Sequence, residues 1–227
     1  HDLLTRGLDA HGHLRDPDVH PEQFKDSPLG RIPRVWEILP LAEVAAVNRG
    51  KFSHRPRNDP DYYGGQYPFI QTGDIASAEG DLITSYSQTL NERGSAVSRD
   101  FPVGTIAITI AANIADTAIL GIPMYFPDSI VGAVVKEPHN NRYIELCIRR
   151  AKRCLEAQAP QSAQKNINLG ILRPLRIPVP NPNEQNRIAE TYESLIARIR
   201  AEEAVLAKRR QVKRGLMDDL LTGRVRV

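Results

Sequence analysis

Asn181-Pro182-Asn183-Glu184 is as near as this 227-residue chain comes to the Asn/Asp-Pro-Pro-aromatic turn that holds an exocyclic amine for methyl transfer, and its third and fourth positions are wrong. No glycine-rich cofactor loop follows a strand. A metal-dependent nuclease core needs Asp/Glu-x-Lys. Here Lys25, Lys51, Lys136, Lys152, Lys165, Lys208 and Lys213 stand two residues after Gln23, Arg49, Val134, Arg150, Ala163, Leu206 and Gln211. Neither a Gly-x-Ser-x-Gly elbow nor a P-loop is present. His11, His13 and His20 lack zinc-type spacing and cysteine partners, so they read as side chains of a solvated linker rather than a metal site. Cys147 and Cys154 fall on one face of a helical pattern but about 10 Å apart by rise per residue, too far for a disulfide. Two unpaired thiols fit a reducing cytoplasm. The residues therefore predict no catalytic centre, no metal and no resident cofactor.

The composition frames what else the chain can do. Hydrophobic residues make up 41% and charged residues 25%, enough to bury a core of ordinary size. No apolar run approaches the ~20 residues that span a bilayer, and no signal-peptide pattern opens the chain. His1 in place of Met suggests that the natural chain extends upstream. A net charge of +3 and a pI near 8.9 permit nucleic-acid binding without demanding it.

The elements that must position any functional side chain come next. Residues 1–35 form a polar, His/Asp/Pro-rich lead-in. A short segment from Trp36 to about Ala46 opens the globular part. Asn48 to Pro68 is a long stretch broken by Gly50, Pro56, Pro60, Gly64 and Gly65, rich in Arg and Tyr, and reads as an irregular functional loop. Phe69–Ile75 and Asp81–Leu90 read as strands, and Phe101–Ala112 as a buried strand. TAILGIPMYFP and SIVGAVVK extend the β pattern. From Tyr143 the period becomes helical, with Tyr143, Leu146, Cys147, Ile148, Ala151 and Leu155 on one face. A polar loop and the short strand LRPLRIPVP lead to the clearest element. Asn181 as N-cap, Pro182 at the first helical position and Glu184 three residues on make a capping-box start. The helix then runs to Leu221, and Gly223 ends it. Tyr192, Leu195, Ile199, Leu206, Leu216 and Leu220 lie on one heptad seam, interrupted by Glu202, Arg209 and Lys213. A rod on the order of 60 Å with such a seam expects a partner helix. Lys208-Arg209-Arg210 and Lys213-Arg214 read as its solvated face, with DNA contact as the other possibility. The tail Asp219-Leu220-Leu221-Thr222-Gly223-Arg224 also echoes Asp2-Leu3-Leu4-Thr5-Arg6-Gly7, as if one repeat ended where the next began.

Read in order, these segments resemble the specificity subunit of type I restriction–modification enzymes. The resemblance is carried by Gly30-x-Ile32-Pro33-x-x-Trp36 with Leu41-x-x-Val44, Tyr63-Gly64-Gly65 before Pro68-Phe69-Ile70, and Gly73-Asp74-Ile75. It continues through Gly104-Thr105-Ile106, Gln164-Lys165-Asn166-Ile167-Asn168, Ile177-Pro178-Val179-Pro180, Glu184-Gln185-x-x-Ile188-Ala189 and Leu220-Leu221-Thr222-Gly223. Gln161 departs from the glycine often seen before the Ser-x-Gln-x-Asn-Ile loop, which bears on that loop's conformation.

The resemblance implies an α+β fold: an irregular multi-strand β target-recognition domain with short helices, then one long C-terminal α-helix that pairs in an antiparallel coiled coil. The corresponding division is residues 1–30 as linker and tail of a preceding helix, 31–180 as the recognition domain and 181–227 as the long helix. Family members usually carry two recognition domains, each with its helix. This chain looks like the second half of one, or a half-subunit that forms a homodimer. The implied role is to read one half of a bipartite target in double-stranded DNA and to scaffold the methyltransferase and restriction subunits. S-adenosylmethionine would be bound by the methyltransferase partner. A non-catalytic coiled-coil module that binds protein instead of DNA is the rival expectation.

On the DNA reading, loops of the β region enter the major groove. Arg55 and Arg57 carry donor forks suited to guanine O6/N7, while Asn58, Gln161 and Gln164 can pair with adenine. Lys51, Lys165 and the Ser162 hydroxyl suit phosphates. Tyr62 and Tyr63 can stack or pack against sugar, and His54 shares their loop. Tyr192, Leu195, Ile199, Leu206, Leu216 and Leu220 are the expected partner-helix contacts, and helix length would set the gap between half-sites.

Overall fold

The computed structural model describes residues 1–55, 57–111, 113–159 and 166–222. Two compact units divide the chain, His1–Ile188 and Ala189–Val227. The first unit closes after the opening turns of the long helix, eight residues beyond the 180/181 boundary expected from sequence.

In chain order the strands are β1 (Phe24–Lys25), β2 (Ile32–Pro33), β3 (Glu37–Pro40), β4 (Ala45–Arg49), β5 (Tyr63–Phe69), β6 (Leu82–Ile83) and β7 (Gln88–Leu90). They continue with β8 (Asp100–Phe101), β9 (Ile106–Thr109), β10 (Thr117–Leu120), β11 (Met124–Tyr125), β12 (Ile130–Val135) and β13 (Arg176–Val179). The helices are α1 (Leu41–Val44), α2 (Thr72–Ala78), α3 (Glu92–Ala96), α4 (Asn141–Arg150), α5 (Lys152–Gln158), α6 (Leu169–Leu172) and α7 (Pro182–Leu221). A five-stranded sheet runs β4-β12-β9-β10-β6 and a four-stranded sheet runs β7-β5-β11-β8. The pairs β13-β3 and β1-β2 complete the ladders.

β9 and β10 are buried at every position, which is why their sequences IAIT and TAIL do not alternate. The main core gathers Ile70, Ile75, Ile83, Leu120, Met124 and Ile130 around Phe101 and Phe126, whose rings stack 4.1 Å apart. Gly132 sits on β12 against this pair. A Cβ there would lie 2.3 Å from a Phe101 ring carbon, so the sheet approaches the rings only because that position has no side chain.

Several expectations change on contact with the tertiary structure. Phe69–Ile75 is not one strand: β5 ends at Phe69 and Thr72 opens α2, where the Asp74 carboxylate accepts the Gln71 N–H at 2.7 Å. Asp81–Leu90 is split, because β6 pairs parallel with β10 in one sheet and β7 pairs with β5 in the other. Tyr63 to Pro68, expected as loop, joins Phe69 in a seven-residue strand. Tyr63 and Tyr67 both register against Leu90, so the Gly64-Gly65 pair forms an irregularity in the ladder. Gly65 also lies where a Cβ would come 2.4 Å from Asn91 Cα. The helix expected from Tyr143 is two segments that meet at Ala151.

The lead-in is not a solvated linker. Leu4, Leu8, Phe24 and Ile32 are buried, β1 pairs with β2, and the segment packs into the first unit. His11, His13 and His20 are exposed, and no metal-binding group is formed among the described residues. At the start of α7, Asn181 Oδ1 accepts the Glu184 N–H at 2.9 Å, as expected of the N-cap. The glutamate carboxylate, however, does not return to the cap. It is buried and accepts from Trp36 Nε1 and Leu8 N, each at 3.1 Å, and from both terminal nitrogens of Arg15, at 2.6 and 3.1 Å. The lead-in, the start of the β domain and the helix base are thereby tied at one carboxylate.

The second unit continues α7 without a break at Gly215. Leu195, Ile199, Leu206, Leu216 and Leu220 are all exposed along it, whereas Tyr192 is half-buried. Gly223, the expected terminator, lies outside the described residues. No described helix is long and apolar enough to cross a membrane.

Candidate nucleic-acid interface

The segment from Gly50 to Tyr62 links β4 to β5 and carries most of the side chains singled out from sequence. It is irregular because its backbone partners lie on other segments. Gly50 N–H donates to Ile130 O at 2.8 Å, Lys51 N–H to Phe126 O at 3.0 Å and Ser53 N–H to Val97 O at 3.2 Å. Phe52 anchors it, buried among Tyr63 and Phe69 with ring centroids 5.6 and 5.5 Å away. A fixed hydrophobic floor under a polar loop is the arrangement that holds recognition side chains in place.

Above that floor the loop's polar side chains divide into bracing and outward-facing groups. Arg55 Nη1 donates to the carbonyls of Phe52 and His54, at 2.7 and 2.6 Å, so much of its fork serves its own loop. Arg57 Nη2 donates to Asp128 Oδ1 at 2.6 Å while its side chain stays half-exposed. His54 stacks on Tyr62 with centroids 3.8 Å apart and hydrogen-bonds Asp59 at 2.9 Å. One face of Tyr62 is thus already covered. The Asp61 backbone N–H holds the Asp59 carboxyl below its ordinary range, with His54 adding to it against a partial desolvation. The Tyr63 hydroxyl donates to Arg57 O. Partial burial pushes its pKa up, and nearby Arg57 pulls the other way.

Arg57 and Tyr63 border a cleft of about 430 Å³. Phe52, Tyr63, Phe69, Pro60 and Pro127 form its apolar walls, and Arg57, Asn58, Gln71 and Gln88 supply its polar groups. The structure therefore brings Arg57, Asn58 and Tyr63 together at one opening. Lys51 is exposed in the same segment, and neither it nor His54, Arg55 or Tyr62 borders the cleft. Gln161, Ser162, Gln164 and Lys165 lie outside the described residues. The described end of their segment attaches just beyond β9: Ile167 is buried and its N–H donates to Ile110 O at 2.9 Å. Sequence reasoning missed Asp128, Gln71 and Gln88. Asp128 is 71 residues from Arg57 and no local pattern marks it.

Residues 33–208 match the family model of the type I restriction modification DNA specificity domain. The chain belongs to this family. Two specificity subunits of type I restriction enzymes from Methanocaldococcus jannaschii are among its relatives. The MjaIX subunit is 25% identical over 82% of this chain and 44% of its own length. The MjaVIII subunit is 26% identical over 99% of this chain and 52% of its own. The chain thus spans about half the length of these relatives. Its fold is that of the HsdS subunit from Thermoanaerobacter tengcongensis, with a TM-score of 0.63 at 18% identity over 89% of this chain and 48% of that one. The type I S subunit from M. genitalium aligns with a TM-score of 0.52 at 15% identity, covering 82% and 46%.

Proposed function

We propose that this specificity-domain chain reads one half of a bipartite target in double-stranded DNA for a type I restriction–modification complex and performs no catalysis itself. The observation that carries the reading is the cleft beside Arg57: a polar-lipped opening on a rigid aromatic floor, in a family described as DNA specificity domains. Arg57 and Asn58 act at base edges, and Lys51 holds phosphate. Arg55 braces the loop that presents them. Gln161, Ser162, Gln164 and Lys165 supply further DNA contacts.

The long helix acts as spacer and docking element. Its exposed Leu195, Ile199, Leu206, Leu216 and Leu220, with Tyr192, pack on an antiparallel partner helix. That partner is supplied either by the rest of a longer subunit or by a second copy in a homodimer. The methyltransferase subunit docks on the helical region and brings S-adenosylmethionine and the catalytic residues, and the restriction subunit joins through the complex. These steps take place in the cytoplasm.

The test is a salt-dependent, sequence-selective shift of duplex DNA by the chain together with its methyltransferase subunit. A shift that is absent, or indifferent to sequence, refutes the reading. Retained helix-mediated protein association in that case would favour the coiled-coil interaction module.

A further inference from the structure

Gln88 was not among the residues that sequence singled out, yet it stands at the lip of the Arg57 cleft and also borders a second opening with Tyr63, Gly64 and Tyr86. Its position is over-determined for an exposed glutamine. Phe69 and Gln88 are register partners at the end of the β5–β7 ladder. One step beyond, Gln71 Nε2 donates to Gln88 Oε1 at 2.9 Å. The Asp74 carboxylate holds both sides of this bridge: its Oδ2 accepts the Gln71 N–H at 2.7 Å and the Ser87 hydroxyl at 2.7 Å. An amide on a free surface loses rotamer entropy by being fixed in this way, and here it is fixed beside an opening.

The bridge decides what Gln88 can offer. A free glutamine presents a donor and an acceptor side by side, the pattern that matches adenine N6 and N7. With its oxygen turned to Gln71, Gln88 presents its NH2 group. Arg57, on the same cleft, also presents only donors. Guanine alone among the bases shows two adjacent acceptors, N7 and O6, in the major groove, whereas adenine and cytosine place an amino group there. A phosphate would accept from the same donors, but the walls of Phe52, Phe69, Pro60 and Pro127 suit a planar base edge better than a strongly hydrated anion.

We propose that Gln88, oriented by Gln71 and Asp74, is a specificity-determining residue that selects a guanine edge in the DNA target together with Arg57. The inference rests on the DNA-reading function argued above. It is tested by selecting randomised-sequence duplexes with the full chain assembled with its methyltransferase subunit, comparing wild type, Gln88→Glu and Gln88→Ala. Glutamate keeps an oxygen for Gln71 but turns a second acceptor toward the cleft. Gln88→Glu is expected to replace guanine at one position of the enriched motif by adenine or cytosine. Gln88→Ala is expected to relax the guanine preference there by about tenfold, within the discrimination typical of a good base contact. Both comparisons use base identity at one position, which a loss of stability or of overall affinity does not move. A wild-type motif that both variants leave unchanged overturns the assignment, and so does a uniform loss of affinity with a shallower salt slope, the mark of a phosphate contact. A wild-type selection with no motif overturns the DNA reading itself and this inference with it.

Discussion

Replacing Glu184 by Gln takes one charge out of a site where three distant segments meet. The carboxylate is 1% exposed and accepts four hydrogen bonds, two of them from an Arg15 side chain that is itself only 13% exposed. Gln keeps one oxygen for Trp36 Nε1 and Leu8 N but turns an NH2 group against the Arg15 guanidinium. Loss of a charge-assisted bond in a buried site costs about 1.5–3 kcal/mol. Removing the partner entirely, as in Glu184→Ala, strands a buried cation and costs about 3–5 kcal/mol. For a chain of this size, each kcal/mol lowers Tm by roughly 2–4 °C. Gln is therefore expected to lower it by about 3–12 °C, and Ala by more. The assay is urea unfolding followed by fluorescence of Trp36, the single tryptophan, which is fully buried and bonded to this carboxylate. A double-mutant cycle with Arg15→Met isolates the ion pair, with an expected coupling of at least about 1 kcal/mol. A Glu184→Gln variant within about 0.5 kcal/mol of wild type, or a cycle with no coupling, would refute the argument that this carboxylate joins the lead-in to the helix base.

Other consequences can be checked separately. Arg57→Ala is expected to lower affinity for the cognate duplex by about 1–3 kcal/mol and to relax one target position. Arg55→Ala should instead lower thermal stability and leave the motif intact, which binding and melting of the two variants will distinguish. Burial raises the pKa of Glu145 in spite of Arg149, Thr117 and Arg142 around it. The folded chain therefore holds this proton more tightly than the unfolded one. The associated stability is present below the unfolded value of 4.5 and is lost as pH rises through the folded pKa. A wild-type minus Glu145→Gln difference in urea stability that does not fall with pH across that window would contradict this. Inserting one heptad after Arg200 keeps the seam in phase and adds about 10 Å of rise. Methylation mapping of the host genome should then show the target gap longer by about three base pairs, at 3.4 Å each; an unchanged gap removes the spacer role.

Much of the architecture was legible along the chain because its signals are local. The Asn181 cap, Pro182 and an unbroken run to Leu221 specify a long helix with no help from distant residues. The continuous apolar text of β9 and β10 announces burial on both faces. Strand assignment failed where partners decided it. Thr72–Ile75 has strand-like composition, but a carboxylate three residues past Gln71 caps a helix there. Gly64-Gly65 marks a loop by propensity and a ladder irregularity by pairing. The polar lead-in reads as solvated because the apolar residues it buries, Leu4, Leu8, Phe24 and Ile32, are too sparse to show a period.

By itself the sequence determined the class of protein, the length of the helix and the absence of familiar catalytic motifs, because these depend on residue order and spacing. Which polar side chains share an opening was decided only in three dimensions. Arg57 meets Asp128 across 71 residues, and Gln71 meets Gln88 across 17. Glu184, read from sequence as a helix cap, instead bonds Leu8 across 176 residues. Such contacts form when the core brings segments together, and hydrogen bonds then commit each donor and acceptor. For the cleft, those commitments turn the Gln88 side-chain oxygen to Gln71, a property that its place in the sequence does not carry.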